Sequence, residues 1–130
     1  MRRVLVWIAV SVGAALALAG CGGKKRYGLE STRACLAKAG LKPLPPARAD
    51  RVAQFAPDGA VRIVFGRRNE VTISFADDEN GARQIALGYE RFHGKNIGLA
   101  DVLRPQRNAV LLWEAHPSDQ DAAAISRCLK

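Results

Sequence analysis

The sequence predicts an α+β domain in which a small three-stranded, mainly antiparallel sheet carries helices on one of its faces. Two alternating segments on either side of a turn predict a β-hairpin, and a further apolar run predicts a third strand. Three segments with apolar residues at helical spacing predict helices. The predicted order along residues 29–130 is α-β-β-α-β-α, which is typical of a layer of helices packed on a sheet.

The first helix is predicted over residues 29–39. Ser31 is expected as its N-cap, Gly40 as its C-terminal stop, and Pro43 prevents continuation. Residues 42–60 then contain four prolines and lack sustained periodicity, so they predict a connection that runs over the domain. One turn of helix is expected within it, near residues 50–55.

Residues 61–75 predict the hairpin. Apolar residues alternate along both halves, and Gly66-Arg67-Arg68-Asn69 separates the two halves as a turn. The alternating residues are Val61, Ile63, Phe65, Val71, Ile73 and Phe75.

The second helix is predicted to begin at Asp77-Asp78-Glu79, because carboxylates suit the positive end of a helix dipole. Residues 94–107 are then expected to form a loop, with a short turn within residues 97–103. The core face of this helix is expected to comprise Ala82, Ile85, Ala86, Tyr89 and Phe92.

The third strand is predicted over residues 108–115, which are apolar at nearly every central position. Pro117-Ser118 followed by Asp119-Gln120-Asp121 is typical of a helix start with a serine cap. The inward stripe of this last helix is expected to comprise Ala122, Ile125, Cys128 and Leu129.

Alternation divides the predicted sheet into two faces. The hairpin residues above, together with Ala109, Leu111 and Trp113, share the face that is expected to carry the helices. The opposite face is not plainly polar, because it holds Val64, Thr72, Val110 and Leu112. One hypothesis is that the face bearing Val64, Val110 and Leu112 contacts a partner. The alternative is that residues 42–60 cover it, through Leu44, Val52 or Phe55.

The N-terminus has the organisation of a signal peptide. Met1-Arg2-Arg3 is a short basic region, and the apolar run of residues 4–18 follows it. The next motif, Leu18-Ala19-Gly20-Cys21, resembles the lipobox of bacterial lipoproteins at all four positions. The resemblance implies cleavage after Gly20 and acylation of Cys21. Two alternatives stay open: an uncleaved transmembrane helix, and a cleaved secretory signal without lipid.

The resemblance also implies a cellular location. Residues 1–20 would be removed, residues 21–28 would form a basic tether, and residues 29–130 would form one domain. The lipid would hold the protein to the extracytoplasmic side of the cell membrane, or to the outer membrane in a diderm cell, where Gly22 replaces a retention aspartate. Lys24, Lys25 and Arg26 would then lie on anionic headgroups.

Two further cysteines, Cys35 and Cys128, lie in the first and last predicted helices. An even number of cysteines in an exported chain predicts a disulfide, since the compartment is oxidising. The alternative is a pair of buried free thiols.

The chain shows no motif of an active site. His93 and His116 stand outside any zinc-binding spacing, so neither a metal nor another cofactor is predicted. Asp77-Asp78-Glu79 is better explained as a helix start than as an acid–base pair, and no serine has the surroundings of a nucleophile. Both histidines are therefore expected to have structural roles.

The net charge is +8, and it falls to +6 once Arg2 and Arg3 are removed with the leader. The basic residues Arg67, Arg68, Arg91, Lys95, Arg104 and Arg107 are candidates for an anion-binding patch. Nucleic acid is not expected as a partner, because the location disfavours it and aromatic residues do not alternate with the basic ones.

The leading functional hypothesis is a cell-envelope lipoprotein with a small non-enzymatic binding or accessory domain. Its ligand would be an envelope protein or an anionic polymer. The alternatives are an envelope enzyme that acts on wall or lipid material, and a purely structural subunit of a stable complex.

Overall fold

The computed structural model describes residues 25–67, 69–93 and 98–130, and the side chain of His93 is outside that description. The predicted leader, Cys21 and Lys24 lie outside the described residues. The elements are α1 (Leu29–Lys38), α2 (Arg51–Gln54), β1 (Ala60–Phe65), β2 (Asn69–Phe75), α3 (Glu79–His93), α4 (Leu99–Val102), β3 (Leu103–Gln106), β4 (Ala109–Trp113) and α5 (Asp119–Ser126). The predicted α+β class is confirmed.

The sheet has four strands in the order β1-β2-β4-β3, and each neighbouring pair is antiparallel. The prediction of three strands was therefore wrong, because β3 lies within the segment predicted as a loop. Arg104 and Pro105 leave this segment without the apolar alternation that predicts a strand. A proline is tolerated here since β3 is an edge strand, where one side of the backbone needs no ladder hydrogen bond.

The two ends of the sheet differ in what lies there. At the hairpin end, Phe65 of β1 pairs with Asn69 of β2, and Gly66 adopts a positive φ of 58° in the turn between them. At the opposite end, Phe75 of β2 pairs with Ala109, and the β3–β4 turn lies beside it. We call this second end the Tyr27 end, because the backbone N–H of Tyr27 donates a hydrogen bond to Asn108 in the β3–β4 turn there.

The first face of the sheet is closed by α1 and α5. Leu36 and Ile125 are fully buried against it, and the predicted inward set is confirmed. Tyr27 also belongs to this core with 4% of its surface exposed, so the packed domain begins ahead of Leu29. The sheet residues of this core are Val61, Ile63, Val71, Ile73, Phe75, Ala109, Leu111 and Trp113, with Phe65 partly buried beside them.

The second face also carries helices, which corrects the prediction that one face alone does so. The buried side of α3 packs against Val110 and Leu103, and Val52 of α2 joins the same cluster. The α3 residues in this cluster are Ala82, Ile85, Ala86 and Tyr89. Phe92 was predicted on this face but is 74% exposed, because the packed part of α3 ends with Tyr89.

The helix ends follow local chemistry in most places. Gly40 has a φ of 81°, and the N–H of Leu41 donates to the Leu36 carbonyl across the end of α1. Ser118 caps α5 by accepting from the N–H of Asp121, as predicted. Ser31, in contrast, lies in the first turn of α1 and donates to the Gly28 carbonyl, because the helix begins three residues earlier than its predicted cap implied.

A disulfide joins Cys35 of α1 to Cys128, just beyond α5, with a Cα–Cα distance of 5.4 Å. The predicted bridge is confirmed. It connects residues separated by 93 positions, so it fastens the first helix of the domain to its C-terminus. Closing a loop of this size stabilises the fold by roughly 4–5 kcal/mol in the chain-entropy model.

Candidate functional site

The predicted partner face is divided between buried and open positions. Val110 is fully buried under α3, so it cannot contact a partner, and the expectation of one open face fails at this residue. Leu112 is partly buried, and Val64 is 43% exposed near the hairpin turn. The prediction of what covers this face was also correct only in part. Residues 42–60 were expected to cover it, but α3 covers most of it and Val52 of α2 contributes.

Beyond the reach of α3, the second face opens into a cavity of about 490 Å³ at the hairpin end. We call it the acidic cavity. Leu112 and Thr72 form its floor on the sheet, and α4 lies along one side. Its described lining comprises Ala47, Asp50, Glu70, Thr72, Gly98, Leu99, Asp101, Val102, Leu112, Trp113 and Glu114.

The acidic cavity continues toward the Tyr27 end. A second cavity of about 460 Å³ shares Ala47, Asp50 and Leu112 with it. A third, of about 790 Å³, lies between α2 and α3 and is almost entirely apolar. We call this third space the α2–α3 groove, and its lining comprises Arg51, Val52, Phe55, Pro57, Gly81, Gln84, Ile85 and Phe92. The second face therefore changes from acidic to apolar along its length.

Asp50 is the residue that holds these cavities in shape. One of its carboxylate oxygens caps α2 by accepting from the N–H of Ala53 at 2.9 Å. The other accepts from the Tyr89 hydroxyl at 2.9 Å, which fastens α2 to α3. Only a turn of helix was expected near this residue, because its partner is 39 positions away along the chain.

Tyr89 is 1% exposed, and its hydroxyl lies 3.4 Å from Ser74 Oγ. Burial raises the pKa of Tyr89, a hydrogen bond with Ser74 lowers it, and Asp50 raises it through its charge and its hydrogen bond. The net shift is upward. The phenol therefore stays neutral and able to donate to Asp50 over the whole physiological range of pH.

The rim of the acidic cavity carries three further carboxylates. Glu70 pairs with Arg62 at 3.2 Å, and both side chains are about one third exposed or less. Asp101 pairs with Nδ1 of His116 at 2.8 Å, and both of these side chains are more than half exposed. Glu114 completes the rim. Carboxylates exceed basic groups here, although the chain as a whole is basic.

The titratable side chains in the described lining of the acidic cavity are four carboxylates. The described lining of the acidic cavity includes no serine, cysteine, lysine or histidine, and His116 lies beside it rather than in it. Asp78 is occupied as a cap, since it accepts from the N–H of Gly81 at 2.7 Å, while Asp77 is exposed. Within the described ranges, no three histidine, cysteine or acidic side chains converge as metal ligands.

The candidate anion-binding patch does not form one surface. Arg67 lies in the turn at the hairpin end, whereas Arg107 lies in the β3–β4 turn at the Tyr27 end. Arg68 and Lys95 are outside the described residues. The separation follows from the antiparallel order of the strands, which places the two turns at opposite ends of the sheet.

In the part of the chain that the structure describes, every helix is too short or too polar to cross a bilayer. Comparison with protein-family models, with curated proteins and with solved structures found no significant match for this chain.

Proposed function

We propose that this chain is a lipid-anchored protein of the bacterial cell envelope with a non-enzymatic binding domain. The lipid is carried by Cys21. The binding site is the acidic cavity, and the partner is an envelope protein that presents a basic side chain flanked by apolar ones.

The observation that carries the anchor is the motif Leu18-Ala19-Gly20-Cys21 after an apolar run. The Cys35–Cys128 disulfide supports the same location, because such bridges persist in oxidising compartments outside the cytoplasm. Acyl chains contribute roughly 0.8 kcal/mol for each buried methylene, so two or three chains hold a protein stably while one does not.

The acidic cavity supports binding by its size and its lining. Its volume of about 490 Å³ lies within the range of ligand sites. Leu112 and Leu99 supply apolar contact, and the carboxylates of Asp101 and Glu114 favour a cationic group. An anionic polymer is disfavoured in this cavity, because its charge would meet carboxylates of the same sign.

The anchor is tested by Cys21→Ser. We expect this variant to lose metabolic labelling with a fatty acid and to leave the membrane fraction, because the sulfur that carries the lipid is gone. Cys35→Ser is the control, since it removes a cysteine without removing the lipobox. Labelling that persists in Cys21→Ser would contradict the anchor.

The binding site is tested by Glu114→Lys. Crosslinked membranes that express this variant should lose the partner captured by the wild type, because the change reverses a charge on the rim. Glu90→Lys is the matched control, since Glu90 is exposed on α3 and does not line the cavity. Equal capture of one identified partner by both variants would contradict the site.

One contact favours the enzyme alternative. His116 and Asp101 form an imidazole–carboxylate pair beside the cavity, and such a pair can act as an oriented base. Under this alternative, His116→Asn would abolish product release from purified cell wall or lipid while leaving the fold intact. Unchanged release, or none from the wild type, favours the binding domain.

A further inference from the structure

The start of the domain is fastened to the β3–β4 turn. Tyr27 donates its backbone N–H to Asn108 Oδ1 at 2.8 Å and accepts from Asn108 Nδ2 at 3.0 Å. Arg107 donates to the Lys25 carbonyl at 3.3 Å, and Arg26 forms an ion pair with Asp58. The chain is thus attached to the domain from Lys25 onward.

This attachment limits how far the domain can stand from a membrane, provided that Cys21 carries the lipid as proposed above. Residues 22–24 are the three residues between Cys21 and Lys25, so four residue-to-residue steps join the anchor to the attached chain. An extended chain spans about 3.3–3.6 Å per residue, so these four steps reach roughly 14 Å at most. The Tyr27 end of the domain is therefore held against the bilayer.

Two apolar side chains are exposed near that end. Phe55 is 75% exposed, and Pro57 follows it in the α2–α3 groove. Their position is set by the next residue, Asp58, whose backbone N–H donates to the Phe75 carbonyl where β2 ends. The groove reaches the first turn of α3 at Gly81, which belongs to the same end.

The charges at this end are of both signs, and the basic residues lie nearest the anchor. Lys25 and Arg107 are exposed, and Arg51 lies over the Phe55 ring with its guanidinium carbon 5.7 Å from the ring centroid. Asp58, Asp77, Asp78 and Glu79 are acidic, and Arg26 contacts the first two of them. An aromatic ring flanked by arginine is well matched to the boundary between headgroups and acyl chains.

We propose that Phe55 and Pro57 insert into the headgroup region of the bilayer that carries the anchor. The apolar occupant of this end of the α2–α3 groove is then lipid rather than a protein. The contact can be weak, because the anchor makes it intramolecular and raises the effective concentration of lipid at the groove. The acidic cavity, at the hairpin end, then faces away from the membrane and is accessible to a partner.

The test places a fluorescent reporter at each end of the domain. Loss of the leader removes Trp7, so Trp113 is the one tryptophan of the mature chain, and it is 2% exposed. The acylated variants Phe55→Trp and Val64→Trp are reconstituted into phosphatidylglycerol–phosphatidylethanolamine vesicles that contain brominated phospholipid. Val64 is the matched control, because it is an exposed apolar residue at the hairpin end.

We expect bromolipid to quench Phe55→Trp at least about twofold more than Val64→Trp, since interfacial side chains lie roughly 5–10 Å into the headgroup boundary. The wild type supplies the Trp113 baseline. Replacing phosphatidylglycerol by phosphatidylcholine should reduce the difference.

Each failure has a different meaning. Protein that does not float with the vesicles would contradict the lipid anchor. Protein that floats, but whose two reporters are quenched equally, would overturn the membrane-facing orientation and leave the anchor standing. Concentration-dependent self-association that protects Phe55→Trp from bromolipid would identify a second copy as the occupant and would also overturn the proposal.

Discussion

The two faces of the sheet are built by different means. The first face is covered by α1 and α5, is apolar, and is closed by the Cys35–Cys128 disulfide. The second is covered by α3 and the short α2, includes the polar Ser74, Thr72 and Tyr89, and opens into the acidic cavity. The first face is thus closed along its length, whereas part of the second face stays uncovered and lines the acidic cavity.

The sharpest test of this comparison is a charge at Val110. Val110→Glu should lower the free energy of unfolding by about 4 kcal/mol or more, because it buries an unpaired carboxylate under α3. Val64→Glu should change it by less than about 0.5 kcal/mol, since Val64 is 43% exposed. Urea unfolding of both variants measures the contrast. A well-folded Val110→Glu would show that α3 does not close the second face.

The disulfide gives the next largest effect. The double variant Cys35→Ser/Cys128→Ser should lose about 2–5 kcal/mol, because the unfolded chain regains the entropy of an open loop. As a control, the wild type is unfolded with its disulfide intact and with it reduced. This comparison separates the loss of the covalent bond from the effect of the serine side chains. A loss of less than about 1 kcal/mol in the free energy of unfolding would mean that the apolar core of the first face stabilises the fold without the disulfide.

Tyr89→Phe probes the polar contact under the second face. Removing the hydroxyl should cost about 1–2 kcal/mol, because Asp50 loses a donor. The pKa of Tyr89 is raised in the folded state above its ordinary 10.0, so the folded protein keeps a proton that the unfolded chain releases. The contribution of Tyr89 to the free energy of unfolding is therefore fully present below about pH 10 and is lost as the pH rises further. Denaturant melts at pH 8 and pH 10.5 should show a decline that is smaller in Tyr89→Phe.

Leu112→Glu should have only a small effect on stability. Leu112 is partly buried and lines two cavities that open to solvent, so a carboxylate there stays hydrated. We expect a loss of about 1 kcal/mol or less, against the much larger loss for Val110→Glu two residues earlier. Thermal melts compare the two. Equal losses would mean that the acidic cavity is closed in solution and not a binding site.

Much of the first face was predictable from the sequence. Strict alternation over Val61 to Phe75 identifies the inward residues, since a pleated strand points successive side chains to opposite sides. Gly40 and Ser118 mark helix ends by local chemistry, and the expectation of export predicts a disulfide between Cys35 and Cys128. These signals are local or involve a single pairing choice.

The second face was not predictable in the same way. The role of β3 depends on its pairing with β4, because a four-residue segment that includes Pro105 has no strand pattern of its own. The cover on Val110 depends on where α3 crosses the sheet, and Phe92 is exposed because that packing ends with Tyr89.

The sequence by itself determined the class of the fold, the inward residues of the hairpin and the covalent link. Only the tertiary structure decided which face each helix covers, that Asp50 meets Tyr89, and where the acidic cavity opens. The physical reason is that periodicity states which side of an element is apolar but not which neighbour will cover it. That choice is made by packing between residues far apart in the chain.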